Sequence, residues 1–147
     1  FKIFGPGSYE VNGNLYSGYV SQGKRNDVDY INTVYFFTID KISFCFLGDL
    51  AHENIDQKTK EHTESVDVIF VPIGGGETLD PVAAAKIIKN FSPKVIIPMD
   101  YGSDRDTGML DTFLKEVSSK ASPIDKYVFK KNDLDTLTGH VIVLDVQ

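Results

Sequence analysis

Two aspartates follow runs of residues that the sequence predicts to be strands, and carboxylates in that position can do chemistry. Asp49 comes after the apolar run 42–47, and Asp100 comes after the apolar run 94–98. Sites in α/β sheets usually assemble at the carboxyl ends of the strands. Carboxylates there could bind Mg²⁺, Mn²⁺ or Zn²⁺, or act as general bases. The structural alternative for each is an aspartate that accepts hydrogen bonds from the backbone of the next loop.

Few other residues could join such a site. His52 lies three residues after the first aspartate and could share its site, whereas the other two histidines are expected to face solvent. The run Gly74-Gly75-Gly76 could present backbone N–H groups to an anion. It lacks the Lys-Ser/Thr of a phosphate-binding loop, so a flexible turn is the favoured interpretation. Cys45 lies inside an apolar strand and is expected to be packed and inert.

Composition restricts the class of protein. The chain has 147 residues with 21 acidic and 15 basic side chains, a formal charge of −6, which suits one domain over residues 1–147. This acidic balance argues against nucleic acid or an anionic membrane surface as the partner. No apolar stretch approaches the roughly 18 residues of a membrane span, and no secretory signal opens the sequence. A single cysteine favours a reducing compartment, so we expect a cytoplasmic protein.

The first third of the chain reads as β-structure. A short strand over residues 1–4 is expected before a turn, and a hairpin over 8–11 and 15–20 is expected around Asn12-Gly13-Asn14. Residues 21–30 are polar and predict an exposed loop. A second hairpin is expected over 33–39 and 42–47, across Asp40-Lys41.

The remainder alternates between helix and strand, which predicts an α/β fold with sheet and helix layers around one core. Asp80-Pro81 predicts a helix start, with the aspartate as N-cap and the proline in the first turn. The expected elements are a polar helix over 56–63, a strand over 66–71, a helix over 81–90, a strand over 94–98, a polar loop over 101–107, a helix over 110–118 and strands over 127–129 and 140–146.

Six motifs, taken in order, resemble the C-terminal two-thirds of a small metallo-β-lactamase-fold hydrolase of the lactonase-like type. The resemblance spans roughly residues 3 to 101. The motifs are GPGSYEV at 5–11, NTVY at 32–35, LGDLAH at 47–52, DV with VPIGGG at 67–76, TLD with AAA at 78–85 and PKVIIPM at 93–99.

The resemblance implies an αββα sandwich of two mixed sheets, of which the N-terminal part is missing here. It also implies a metal site, usually zinc, built from a His-x-His-x-Asp-His motif, a further His, a bridging Asp and a final His. The metal-bound hydroxide attacks an ester, lactone, amide or phosphodiester bond. By resemblance Asp49 is the bridging Asp and acts as metal ligand or base.

The sequence departs from that pattern in three ways. Asp100 stands where the final His is expected, and Ser21-Gln22-Gly23 stands where the further His is expected. The His-x-His-x-Asp-His motif is absent from the chain. Asp49 and Asp100, with His52 as a weaker candidate, are therefore the metal-site residues that we expect, and they would suit zinc less well than a harder divalent cation.

Two hypotheses follow from this pattern. The first is a hydrolase-like protein with an incomplete, degenerate metal site and a small-molecule substrate. The second is a non-catalytic binding or assembly domain that keeps the fold. A homo-oligomer is left open under both hypotheses. A phospho-acceptor receiver domain is rejected, because the opening hairpins contradict the strict β-α alternation of that class.

Overall fold

In the part of the chain that the structure describes, seven strands lie side by side in one mixed sheet, in the order in which they occur in the chain. The structure is a computed structural model, and it describes residues 2–63, 66–102 and 108–145. Its strands are β1 (Gly7–Val11), β2 (Asn14–Arg25), β3 (Val28–Ile39), β4 (Ile42–Phe46), β5 (Val68–Pro72), β6 (Val95–Met99) and β7 (His140–Val141). Its helices are α1 (Gln57–Lys60), α2 (Pro81–Lys89) and α3 (Met109–Glu116), with a 3₁₀ turn over Lys131–Leu134.

The first four strands form an antiparallel meander with tight turns. Asn12-Gly13, Asn26-Asp27 and Asp40-Lys41 each take positive φ at the turn, a conformation that Asn, Asp and Gly adopt most readily. Both predicted hairpins are confirmed. The meander brings β4 beside the first strand of the parallel half.

The predicted loop over residues 21–30 is wrong, because β2 and β3 continue through it to a two-residue turn at Asn26-Asp27. Small buried residues alternate with exposed polar ones along this part of β2. Ser21 and Gly23 are buried while Gln22 between them is exposed. The low hydrophobicity of the segment concealed this period of two.

The predicted opening strand is also wrong for residues 2–4, which belong to no strand, while Phe1 lies outside the described residues. The hydroxyl of Tyr9 lies 2.8 Å from the carbonyl oxygen of Phe4, 3.0 Å from that of Gly5 and 3.2 Å from that of Pro6. The single O–H of Tyr9 can be shared among these carbonyls, and the Gly5 carbonyl also accepts from the Tyr35 hydroxyl at 3.0 Å. Side chains, rather than a neighbouring strand, therefore hold this segment.

The second half of the sheet is parallel, from β4 through β7. Helix α2 connects β5 to β6 and begins as predicted, since the Asp80 carboxylate accepts from the backbone N–H groups of Val82 and Ala83. The predicted strand over 127–129 is wrong, because Tyr127 and Phe129 pack on the core without joining a strand. The last strand is shorter than predicted, and residue 146 and the loop residues 103–107 lie outside the described residues.

Helices cover one face of the sheet, and the main core lies between these helices and the sheet. Phe91 and Phe113 are among the largest fully buried side chains there. Cys45 is buried in this core, and burial raises the pKa of its thiol, as expected for an inert packed residue. None of the helices in the described ranges has the length and apolar character that crossing a bilayer requires.

Candidate functional site

The two strand-end aspartates line the same cavity, of about 210 Å³. Asp49 follows β4 and Asp100 follows β6, and β5 lies between these parallel strands, so their carboxyl ends reach the same edge of the sheet. The structure therefore brings together the two residues that the sequence singled out. The cavity is lined by Lys24, Arg25, Tyr30, Asp49, Glu77, Thr78 and Asp100.

A buried asparagine fixes the backbone at Asp49. The Asn32 amide nitrogen donates to the Ser21 hydroxyl and to the Leu47 carbonyl, at 2.8 Å each. Its amide oxygen accepts from the Asp49 backbone N–H at 3.1 Å. A Cβ on Gly48 would lie 2.5 Å from that oxygen, and its φ is +60°, so this position requires glycine. The Asp49 carboxylate thus projects from a rigid turn.

Asp100 sits on a turn of left-handed backbone, with φ at +58°. Its Oδ2 accepts a hydrogen bond from the Thr78 hydroxyl at 2.8 Å. A Cβ on Gly74 would lie 2.4 Å from both the carbonyl oxygen and Oδ2 of Asp100, so glycine at this position is what lets the two loops touch. The glycine run is therefore packed against the site.

Tyr30 links the first aspartate to the β2–β3 hairpin. Its hydroxyl donates to Asp49 Oδ2 at 2.9 Å. Burial, the hydrogen bond to Asp49 and the charge of that carboxylate raise the Tyr30 pKa, so the phenol stays protonated. The Tyr30 ring packs over Gly23, where an added Cβ would lie only 2.5 Å from the ring. The Arg25 guanidinium lies 5.7 Å from the ring centroid.

The hairpin tip is attached to the loops of the parallel half. The Asn26 backbone N–H donates to Glu77 Oε1 at 2.8 Å, and the Ala51 N–H donates to the Gln22 carbonyl at 2.9 Å. The hairpin therefore forms a wall of the cavity. Sequence reasoning missed Lys24, Arg25 and Tyr30 because it placed them in a loop; the Asn26-Asp27 pair was the signal that could have found the turn.

His52 is not among the residues that line the cavity. Its Nε2 lies 3.8 Å from Asp29 Oδ1, and both side chains are largely exposed. The structure thus places this histidine beside Asp29 and outside the cavity that Asp49 lines. The other two histidines predicted to face solvent differ: His140 is exposed, whereas His62 is half-buried, and its Nε2 lies 2.6 Å from the Tyr19 hydroxyl.

The glycine run borders a second cavity of about 430 Å³, which shares Glu77 and Asp100 with the first. Gly75 donates its N–H to the Leu79 carbonyl and accepts from the Thr78 N–H, so a turn is present as predicted. Together the two cavities form one open cleft along the carboxyl edge of the sheet. Beyond the glycines and the two shared carboxylates, the described residues that line the second cavity are Tyr101, Gly102 and Met109.

The donor set in the cleft does not fit a dinuclear zinc centre. Within residues 2–63, 66–102 and 108–145, no group of three or more His, Cys, Asp or Glu side chains could hold a metal ion. Ser21, near the position where the resemblance expects a histidine, is buried and holds the Asn32 amide. The described residues of the cleft supply carboxylates, hydroxyls, one lysine and one arginine, whereas zinc prefers imidazole and thiolate.

Comparisons with known proteins agree with this architecture. A family model described as "Beta-lactamase superfamily domain" matches residues 2–100. A solved structure from Thermotoga maritima, described as a candidate Zn-dependent hydrolase of the metallo-β-lactamase superfamily, is 30% identical with a TM-score of 0.71. It matches 99% of this chain and 72% of its own length.

Two further relatives are more partial or more distant. A UPF0173 metal-dependent hydrolase from Aeropyrum pernix is 39% identical over 67 residues, which is 45% of this chain and 28% of that protein. The structure of a metallo hydrolase from Ignicoccus hospitalis is 17% identical with a TM-score of 0.64, over 99% of this chain and 57% of that one, and shows the fold alone. The chain thus matches little more than a quarter of the length of the curated relative.

Proposed function

We propose, since this chain belongs to the β-lactamase superfamily, that it is a hydrolase-like domain whose metal site is degenerate and whose cleft binds a small molecule without a zinc centre. The family match and the α/β fold support the hydrolase-like ancestry. The donor chemistry of the described cleft residues supports the loss of the metal site.

One observation carries the proposal: both strand-end aspartates accept hydrogen bonds from hydroxyl groups in a cavity that also holds two cations. Asp49 accepts from Tyr30, and Asp100 accepts from Thr78. Lys24 and Arg25 line the same cavity. A cationic side chain close to two carboxylates lowers their affinity for a divalent cation, because like charges repel.

The second candidate is a metal-dependent hydrolase that takes its remaining ligands from other parts of the protein. The relatives named as metal-dependent hydrolases favour it, and so does the position of Asp49, which by resemblance is the bridging ligand. Asp49 and Asp100 would then hold the metal together with imidazoles from elsewhere. Such a metal, zinc or a harder divalent cation, would activate water for attack on an ester, lactone or phosphodiester.

Metal analysis of the intact protein separates the two candidates. The degenerate site predicts less than about a tenth of an equivalent of zinc, manganese or iron after purification in metal-supplemented medium. Asp125→Asn is the matched control, since Asp125 is an exposed aspartate that does not line the cleft. The opposite result would be close to one equivalent of metal in the wild type and in Asp125→Asn, but none in Asp49→Asn. That result would contradict the proposal and support the metal-dependent hydrolase.

We propose a cytoplasmic location and a small-molecule ligand for the same domain. An acidic chain without a basic cluster fits a small-molecule ligand better than a nucleic acid. A single, buried cysteine, Cys45, is compatible with the cytoplasm. A search for partners would start from metabolite mixtures, with saturable binding to the cleft as the readout.

A further inference from the structure

We propose that the Arg25 wall of the cleft is an oxyanion subsite, which binds the acidic group of a small hydroxylated acid such as a sugar acid or a sugar phosphate. This inference rests on the proposed function, because it requires a cleft that works without a metal centre. It names the class of ligand, which neither the fold nor the family determines.

The first argument is the position of the guanidinium. It lies 5.7 Å from the centroid of the Tyr30 ring, and that ring is fixed by the hydrogen bond from its hydroxyl to Asp49. Stacking on a fixed ring limits the motion of the arginine and leaves the edge with its N–H donors available. A planar guanidinium held in this way suits two-point recognition of a carboxylate or a phosphate.

The second argument is the absence of a competing anion. Among the described residues, no carboxylate forms an ion pair with Arg25, whereas Lys24 is paired with Asp27 at 3.1 Å. Each carboxylate in the cavity already accepts a hydrogen bond from another group: Asp49 from Tyr30, Asp100 from Thr78 and Glu77 from a backbone N–H. Arg25 lines the cavity and is therefore a cation that a ligand there can neutralise.

The third argument concerns the rest of the ligand. Each of the three carboxylates accepts from a protein donor through one oxygen, and its second oxygen can accept from a ligand hydroxyl. Two cations and three carboxylates give the lining a formal charge of −1. A ligand with one acidic group directed to Arg25 and hydroxyls directed to the carboxylates matches this pattern, and a cavity of about 210 Å³ admits a molecule of that size.

Isothermal titration of the full chain with gluconate, ribose 5-phosphate and uncharged ribose tests the inference. The protein is treated with a chelator first, and its metal content is measured in the same sample. We expect saturable binding of at least one of the two acids and none of ribose up to about 10 mM. Binding of gluconate alone would identify a carboxylate ligand, and binding of ribose 5-phosphate alone would identify a phosphate ligand.

Three variants locate the binding. Arg25→Gln should weaken it about tenfold or more, because a charge-assisted hydrogen-bond pair is lost. The affinity of Arg25→Lys should lie between those of Arg25→Gln and the wild type, since lysine keeps the charge but lacks the paired N–H donors of the guanidinium. Lys89→Gln removes a charge of the same sign from the exposed last turn of α2 and should bind within about twofold of wild type.

The results that overturn the inference are distinct from those that overturn the proposed function. If metal-free protein binds neither acid, or if Arg25→Gln and Arg25→Lys both bind as tightly as wild type, no oxyanion subsite exists at this wall. An equal loss in Lys89→Gln would also overturn it, by showing only a general charge effect. If the acids bind only after zinc is restored, the metal-free cleft itself is wrong and the proposed function fails.

Discussion

The parallel strands carry aspartates at both ends, and the two ends use them differently. At the amino end, Asp67 immediately precedes β5 and is 6% exposed. At the carboxyl end, Asp49 and Asp100 are exposed and line the cleft. The same side-chain type therefore occupies a buried position and two open ones, about one strand length apart.

Both carboxylate oxygens of the buried aspartate accept from protein donors. Asp67 Oδ1 pairs with Lys94 at 2.9 Å and Oδ2 pairs with Lys131 at 2.5 Å. Oδ2 also accepts from the backbone N–H of Ser43 at 2.9 Å and from its hydroxyl at 3.0 Å. These contacts join β4, β5, the start of β6 and the 3₁₀ turn.

The difference separates a structural carboxylate from one suited to binding. Burial alone would raise the pKa of Asp67, but the hydrogen bonds from Lys131, Ser43 and Lys94 outweigh burial and hold that pKa well below its usual range. Asp49 and Asp100 each take one hydroxyl donor and keep an oxygen toward the cavity. Removing them should cost the fold little, whereas removing Asp67 should cost it much.

The largest effect is expected for Asp67→Asn. The change leaves Lys94 and Lys131 beside a neutral amide, and the free energy of unfolding should fall by about 2–4 kcal/mol, toward the low end for a buried pair because both lysines are partly exposed. Urea unfolding followed by circular dichroism measures this. Asp125→Asn serves as the control, and a loss below about 1 kcal/mol for Asp67→Asn would remove the contrast between the two ends.

The acid dependence of stability should come from the same residue. Since the pKa of Asp67 is lower in the folded chain than its ordinary value of 3.8, its contribution is fully present above that value and is lost as the pH falls below it. Unfolding free energies of wild type and Asp67→Asn should therefore differ by a constant amount above about pH 5 and converge below about pH 4. Parallel curves down to pH 3 would show that Asp67 does not bind its lysines in the folded state.

Asn32→Ala should have the next largest effect, because Asn32 holds the loop at the carboxyl end of the strands, as Asp67 holds the amino end. Three hydrogen bonds of a buried amide are lost, for about 2 kcal/mol. Ser21→Ala removes one of the three and should cost about 1 kcal/mol. Urea unfolding of both variants provides the measurement, and equal losses would show that the turn at Asp49 does not depend on the other two bonds.

Local sequence patterns predicted the elements that have local causes. The Asn12-Gly13 and Asp40-Lys41 turns and the Asp80-Pro81 helix start were confirmed, because turn chemistry and capping depend on neighbouring residues. The rule that sites assemble at the carboxyl ends of strands points to Asp49 and Asp100, and both line one cavity. The superfamily resemblance was confirmed by the family match.

The missed features depend on long-range contacts. The outer halves of β2 and β3 carry many polar residues, so their sequence does not indicate paired strands. Contacts with distant residues support them instead: Tyr30 donates to Asp49, and Asn26 donates to Glu77. Residues 127–129 carry a strand-like pattern, but Tyr127 stacks on Phe129 and both pack on the core from an irregular segment. Apolar alternation alone does not distinguish those two cases.

The smallest effect on stability is expected for Asp49→Asn. Asparagine keeps the backbone N–H that binds Asn32, and its amide oxygen can still accept from the Tyr30 hydroxyl. The free energy of unfolding should therefore change by less than about 0.5 kcal/mol, with Asp125→Asn as the matched exposed control. A loss above about 1.5 kcal/mol in urea unfolding would place Asp49 with Asp67 as a structural carboxylate. A small change combined with altered binding of gluconate or ribose 5-phosphate would instead assign its free oxygen to the ligand, and so sharpen the contrast between the two ends of the sheet.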